Sequence, residues 1–126
     1  MSKPTFTKEY FDIKHVLLDY YAESNKQGNS DLMKKAFTKN ATMYFIDSTG
    51  RLAGGSVNES LYPVVDSFPK SSNSQIAIAY INITENVAQA RVDSDNVNHS
   101  GFTDYFNLIK VNNQWKIISK IYYAHY

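Results

Sequence analysis

Apolar residues recur at three- and four-residue spacing from Thr7 to Gln27, where Ile13, Val16, Leu17, Tyr20 and Tyr21 form one stripe. Phe11, Leu18 and Ala22 widen that stripe, which predicts a long first helix embraced by its neighbours and ended by Gly28. A short second helix is predicted next, capped by Ser30, with Asp31 in its first turn and Leu32, Met33, Ala36 and Phe37 on its apolar face. Lys39-Asn40 breaks that pattern. Ala41 to Asp47 then reads as a strand, Ser48-Thr49-Gly50 as a turn, Arg51 to Ala53 as a short return strand, and Gly54-Gly55 as a flexible link. Ser56-Val57-Asn58-Glu59 has capping-box spacing and opens a third helix with Leu61, Val64, Val65 and Phe68 on its apolar side. Pro63 belongs in its first turns or kinks it. A polar loop, Pro69 to Ser74, follows.

The remaining chain alternates in the manner of strands. Ile76, Ile78 and Tyr80 belong to a strand that runs to about Thr84, with Glu85-Asn86 as the turn and Val87 to Val97 as the return. Phe102 to Val111 and Gln114 to Ala124 form a second hairpin across Asn112-Asn113, a residue pair that tolerates positive φ. Helices first and a meander of long antiparallel strands after them predict an α+β domain, with one compact domain spanning residues 1–126.

The last hairpin has a register, and register decides which face each side chain occupies. With Val111 opposite Gln114 and regular pairing throughout, Phe102, Asp104, Phe106, Leu108, Trp115, Ile117, Ser119, Ile121 and Tyr123 share the inner face. Thr103, Tyr105, Asn107, Ile109, Lys116, Ile118, Lys120 and Tyr122 share the outer one. Asp104 is the anomaly, because a carboxylate among apolar and aromatic side chains loses solvation and its pKa rises unless a donor or cation compensates. Such a group can anchor a neighbouring backbone or tyrosine, bind a ligand, or act as a general base. The outer face is apolar for a solvated surface, which points to a partner chain.

Composition narrows the function classes. Thirteen basic residues against twelve acidic ones give a net charge of +1, with no broad field for nucleic acid or anionic lipid. Lys34, Lys35 and Lys39 read as a solvated helix face. The absence of cysteine excludes disulfides, thiol catalysis and thiolate metal sites, and agrees with a reducing, cytoplasmic setting. The stretch from Met1 to Asp12 carries Lys3, Lys8, Glu9 and Asp12 and no secretory apolar run, so the sequons at Asn40, Asn58, Asn82 and Asn98 are chance matches. Ten tyrosines, seven phenylalanines and one tryptophan fit a half-wet cavity or an interface. His15, His99 and His125 lack metal-ligand spacing, although His15 is placed to reach a cavity. No G-x-S-x-G elbow, phosphate loop or Rossmann fingerprint is present, so no cofactor is expected.

Particular segments resemble a known family. Leu17, Asp19, Tyr20 and Tyr21, then Ala36-Phe37 and Asn40-Ala41-Thr42, are similar to the opening of nuclear transport factor 2-like (NTF2-like, SnoaL-like) domains. Gly101 to Val111, followed by Trp115-Lys116-Ile117-Ile118-Ser119-Lys120, resembles the putative lumazine-binding branch of that superfamily. The resemblance implies a cystatin-like cone, a curved antiparallel sheet wrapped around three helices and open to a cavity. It also implies a homodimer through the outer sheet face. Enzyme relatives include ketosteroid isomerases, scytalone dehydratases and polyketide cyclases, but none of their complete catalytic sets maps onto this chain.

The expectation is a protein that binds a small hydrophobic or aromatic molecule, with Tyr20, Tyr44, Phe68, Phe102, Asp104, Phe106 and Trp115 lining the pocket. The enzymatic alternative is an isomerase, dehydratase or cyclase with Asp104 as general base and a tyrosine stabilising an enolate. A further alternative is a dimeric interaction module whose interior is filled.

Overall fold

The computed structural model describes residues 5–70, 73–97 and 99–126. Residues 1–4, 71–72 and 98 lie outside them, so the reading of Lys3, the middle of the loop expected from Pro69 to Ser74 and the sequon at Asn98 are not placed. The first helix runs through α1 (Thr5–His15), a π-helical segment (Val16–Ala22) and α2 (Glu23–Gln27). Ile13 and Leu17 are fully buried along it. Gly28 ends it at φ 61°, where a Cβ would meet the carbonyl oxygen of Phe68 at 2.3 Å. That position therefore requires glycine both for its backbone conformation and for space.

The short helix α3 (Ser30–Met33) is capped by Asn29, whose side chain accepts from the Leu32 N–H, rather than by Ser30. Ser30 instead donates its backbone N–H and its hydroxyl to the Asp66 carboxylate, at 3.0 and 2.9 Å. The chain is extended earlier than its pattern predicts: β1 (Phe37–Ile46) begins at Phe37, which pairs with Ile117. Gly54-Gly55 is no link, because both glycines belong to β2 (Leu52–Ser56) and pair with β1. Gly54 sits at φ 116° against the Met43 backbone, and that close approach is what its missing side chain allows. Ser56 caps α4 (Val57–Ser60) by accepting from the Asn58 N–H. Pro63 lies in the first turn of a separate helix, α5 (Tyr62–Asp66), where its missing N–H costs nothing.

The four long strands are β3 (Gln75–Thr84), β4 (Val87–Val97), β5 (Ser100–Val111) and β6 (Gln114–Ala124). Asn112 and Asn113 both adopt positive φ, as the turn chemistry predicts. One six-stranded, curved and unclosed sheet results, in the order β2-β1-β6-β5-β4-β3. It is antiparallel except where β1 runs parallel to β6. The helices pack on its concave side over Met33, Val57, Val65, Phe106, Leu108, Trp115 and Ile117, all buried. Among the described residues, no helix is long and apolar enough to cross a membrane.

The register of the final hairpin departs from regular alternation at one place. Val111 faces Gln114 and Leu108 faces Ile117, but Asn107 faces Ser119, so β6 carries one extra residue at Ile118. A bulge of this kind turns every following side chain to the opposite face. Lys120 and Tyr122 therefore point inward, opposite Phe106 and Asp104. Ser119, Ile121 and Tyr123, expected inside, lie on the outer face; Ile121 and Tyr123 are 56% and 67% exposed.

Candidate ligand-binding site

A cavity of about 170 Å³ lies between the π-helical segment, α4, α5 and the concave face of the sheet. Met43, Phe45, Leu61, Phe68, Ile76, Val92, Val97, Phe102 and Tyr122 give it apolar walls. Val64 is exposed and Phe68 and Phe102 are half-buried, which places the mouth of the cavity on their side.

Asn25, Ser60 and Ser94 also line it, and three buried polar side chains converge there from three elements. Asp104 comes from β5, Lys120 from β6 and Tyr21 from the π-helical segment, and each is almost wholly buried. The Tyr21 hydroxyl donates to Asp104 Oδ2 at 3.2 Å and accepts from Lys120 Nζ. Lys120 Nζ stands 3.8 Å from Asp104 Oδ1, beyond direct hydrogen-bond reach. Asp104 Oδ1 is buried and has no hydrogen-bond partner. The lysine also lies against the faces of Tyr21 and Tyr122, with Nζ 4.9 and 4.8 Å from the ring centroids.

Burial dominates the electrostatics. It raises the Asp104 pKa, with Lys120 and the Tyr21 hydrogen bond opposing. It lowers that of Lys120, with Asp104 opposing. Burial and the nearby Asp104 charge together keep Tyr21 well above the usual phenol range. The amine and the carboxyl are thus both pushed toward their uncharged forms, while Tyr21 stays protonated and links them.

Of the residues expected to line a pocket, Phe68, Phe102 and Asp104 do so. Phe106 and Trp115 belong to the packed core; the Phe106 ring stacks edge-on against Tyr21 at 5.0 Å, and the Trp115 indole N–H donates to Glu9 at 3.3 Å. Tyr44 is on the outer face of β1. Tyr20 is turned from the cavity onto His15, and Lys35 Nζ sits 5.8 Å from its ring. The π-helical winding explains the exchange of Tyr20 for Tyr21, since a wider turn keeps Leu17 and the fourth residue after it in line and rotates the third away. His15 does not reach the cavity; it is exposed and pairs with Asp19 at 2.5 Å. Among the described residues no group of three or more His, Asp or Glu side chains is placed to hold a metal ion.

Tyr21, Phe45, Lys120 and Tyr122, with the aliphatic wall residues Met43, Leu61, Ile76, Val92 and Val97, are site residues that sequence reasoning missed. For Lys120 and Tyr122 the available signal was Ile117-Ile118, two adjacent isoleucines that interrupt strict alternation.

A family model described as putative lumazine-binding matches residues 10–123 of the chain. An NTF2-like protein of unknown function from Shewanella baltica OS155 is 38% identical, with 98% of this chain and 99% of that one covered and a TM-score of 0.93. A second NTF2-like protein of unknown function, from Methylobacillus flagellatus KT, is 30% identical over 94% of each chain, with a TM-score of 0.85. An aldolase from Cladobotryum sp., FrzH, is 25% identical over 107 residues, 83% of each chain.

Proposed function

The chain belongs to the putative lumazine-binding family, within the NTF2-like fold, and we propose that its cavity binds a small apolar or aromatic molecule carrying one hydrogen-bond donor. The observation that carries this reading is Asp104 Oδ1. It is a buried acceptor without a hydrogen-bond partner, in a cavity whose walls are mostly apolar. Leaving such an atom unpaired costs on the order of 1–3 kcal/mol, and more when the group is charged. A ligand donor removes that cost while its apolar body meets Phe45, Phe68, Phe102 and Tyr122. Tyr20, Tyr44, Phe106 and Trp115 are not part of the proposed contact set.

The protein acts in the cytoplasm as a homodimer through the outer sheet face. Support comes from a row of cross-strand neighbours there: Tyr44 beside Ile121, Ile121 beside Tyr105, Tyr105 beside Arg91, and Arg91 beside Tyr80. Ile121, Tyr80, Tyr105 and Tyr44 are all exposed. A row of aromatic and aliphatic side chains with one arginine has the composition of an interface centre.

Native mass spectrometry of freshly purified protein reads both parts of the proposal. The expected result is a two-subunit mass with a small-molecule excess that denaturation removes. Benzyl alcohol added to stripped protein is expected to shift the methyl resonances of Met43, Val92 and Val97. A monomer without excess mass, together with unmoved methyl resonances, contradicts the proposal.

A second reading is enolate chemistry. It is favoured by the shared proton path from Lys120 through Tyr21 to Asp104 and by the relation to an aldolase. In that reading Asp104 removes a proton beside a carbonyl and the Tyr21 hydroxyl stabilises the enolate oxygen. Asp104→Asn then abolishes turnover of an enolisable ketone while benzyl alcohol still binds.

A further inference from the structure

We propose that Lys120 is a nucleophilic amine that condenses with the carbonyl group of an aldehyde or ketone held in the cavity. The proposal rests on the binding reading above and deepens it by naming the reactive group of the ligand.

The surroundings of Lys120 differ from those of the other inward-leaning lysine. Lys110 Nζ lies 2.7 Å from both carboxylate oxygens of Glu9, a geometry that holds an ammonium charged. Lys120 has no such partner. Its carboxylate neighbour is 3.8 Å away, its hydrogen bond goes to a phenol, and its remaining contacts include two aromatic faces. Among the described residues it is the one cationic side chain lining the cavity. Burial disfavours its charged form, and a desolvated lysine in an apolar pocket is a known route to an activated amine.

The groups beside it complete the step. The Nζ lone pair adds to the carbonyl carbon, and the carbonyl π electrons move to oxygen. The nitrogen loses a proton to the Tyr21 oxygen as Tyr21 passes its own to the Asp104 carboxylate, which hands it to that oxygen to form a hydroxyl group. The second nitrogen proton follows the same path to the hydroxyl group, which leaves as water while nitrogen forms the C=N bond. The net change is amine plus carbonyl compound to imine plus water, with no redox partner. Protonation of the imine nitrogen gives an iminium ion, whose charge then faces Asp104 Oδ1.

The test is reductive trapping. The full chain is incubated with benzaldehyde and sodium cyanoborohydride near neutral pH, and the modified residues are mapped by peptide mass spectrometry. A single benzyl group is expected on Lys120, formed several-fold faster than on exposed Lys34, Lys35 and Lys39, because burial disfavours the charged form of its amine. Benzyl alcohol is expected to protect Lys120, and Lys120→Met to leave the slow background alone. Where Lys120→Met fails to fold, the Asp104→Asn/Lys120→Met double variant serves as the control, since it leaves no lone buried charge. Modification of the exposed lysines with Lys120 untouched overturns the proposal. If benzyl alcohol still shifts the cavity methyl resonances in that case, the binding reading stands; if it does not, both fall.

Discussion

Lys120→Met is expected to destabilise the protein by about 3–5 kcal/mol, because removing one member of a buried amine–carboxyl pair leaves the burial of the other uncompensated. Asp104, 3% exposed, would keep a carboxyl group with no nearby cation. Its pKa, already raised by burial, rises further when Lys120 no longer opposes that effect. The folded state then holds a proton that the unfolded state releases at about 3.9. Stability is therefore retained below that value and falls as pH rises toward the raised folded pKa. Asp104→Asn gives the opposite slope. Lys120 loses the charge that opposes desolvation, and its depressed folded pKa falls further. The unfolded lysine titrates near about 10.4, so stability is full above that value and is lost as pH falls toward the folded pKa. The double variant is expected to recover most of either loss and to be flat in both windows. Urea unfolding of the three variants at several pH values checks this. Equal losses at every pH would contradict the buried pair.

Phe106→Ala is expected to cost about 3–5 kcal/mol, the usual range for deleting a buried ring. Phe106 is 1% exposed and stacks edge-on against Tyr21, which in turn contacts the Phe37 ring at a centroid distance of 6.1 Å. The ring thus fixes the position from which the Tyr21 hydroxyl reaches Asp104. Phe106→Leu fills more of the space and is expected to lose less. Denaturant unfolding gives the comparison; a loss below about 1 kcal/mol for the alanine variant would show that the ring does not support the core as described.

Elements governed by local chemistry were legible in the sequence. The ends of β4 and β6, the positive-φ pair Asn112-Asn113, the cap at Ser56 and the inward aim of Asp104 all follow from alternation and turn residues within a few positions. Features set by distant packing were not. Phe37 begins a strand because β6 offers Ile117 as a parallel neighbour, a pairing that helical spacing from Leu32 to Phe37 conceals. Tyr21 replaces Tyr20 because the helix is wound more widely over residues 16–22, which apolar spacing alone does not reveal. The largest change at the site comes from the extra residue at Ile118. Upstream of it the predicted faces hold; downstream each is reversed, bringing Lys120 and Tyr122 into the cavity. A lone acid on an apolar wall thereby becomes an acid, a phenol and an amine in mutual contact.

The most direct measurement follows the Lys120 ε-carbon resonance through a pH titration, with the exposed lysines as internal reference. Lys120 is expected to titrate below them, and lower still in Asp104→Asn. A midpoint shared with the surface lysines and unmoved by Asp104→Asn would place the amine in water and remove the basis of the site.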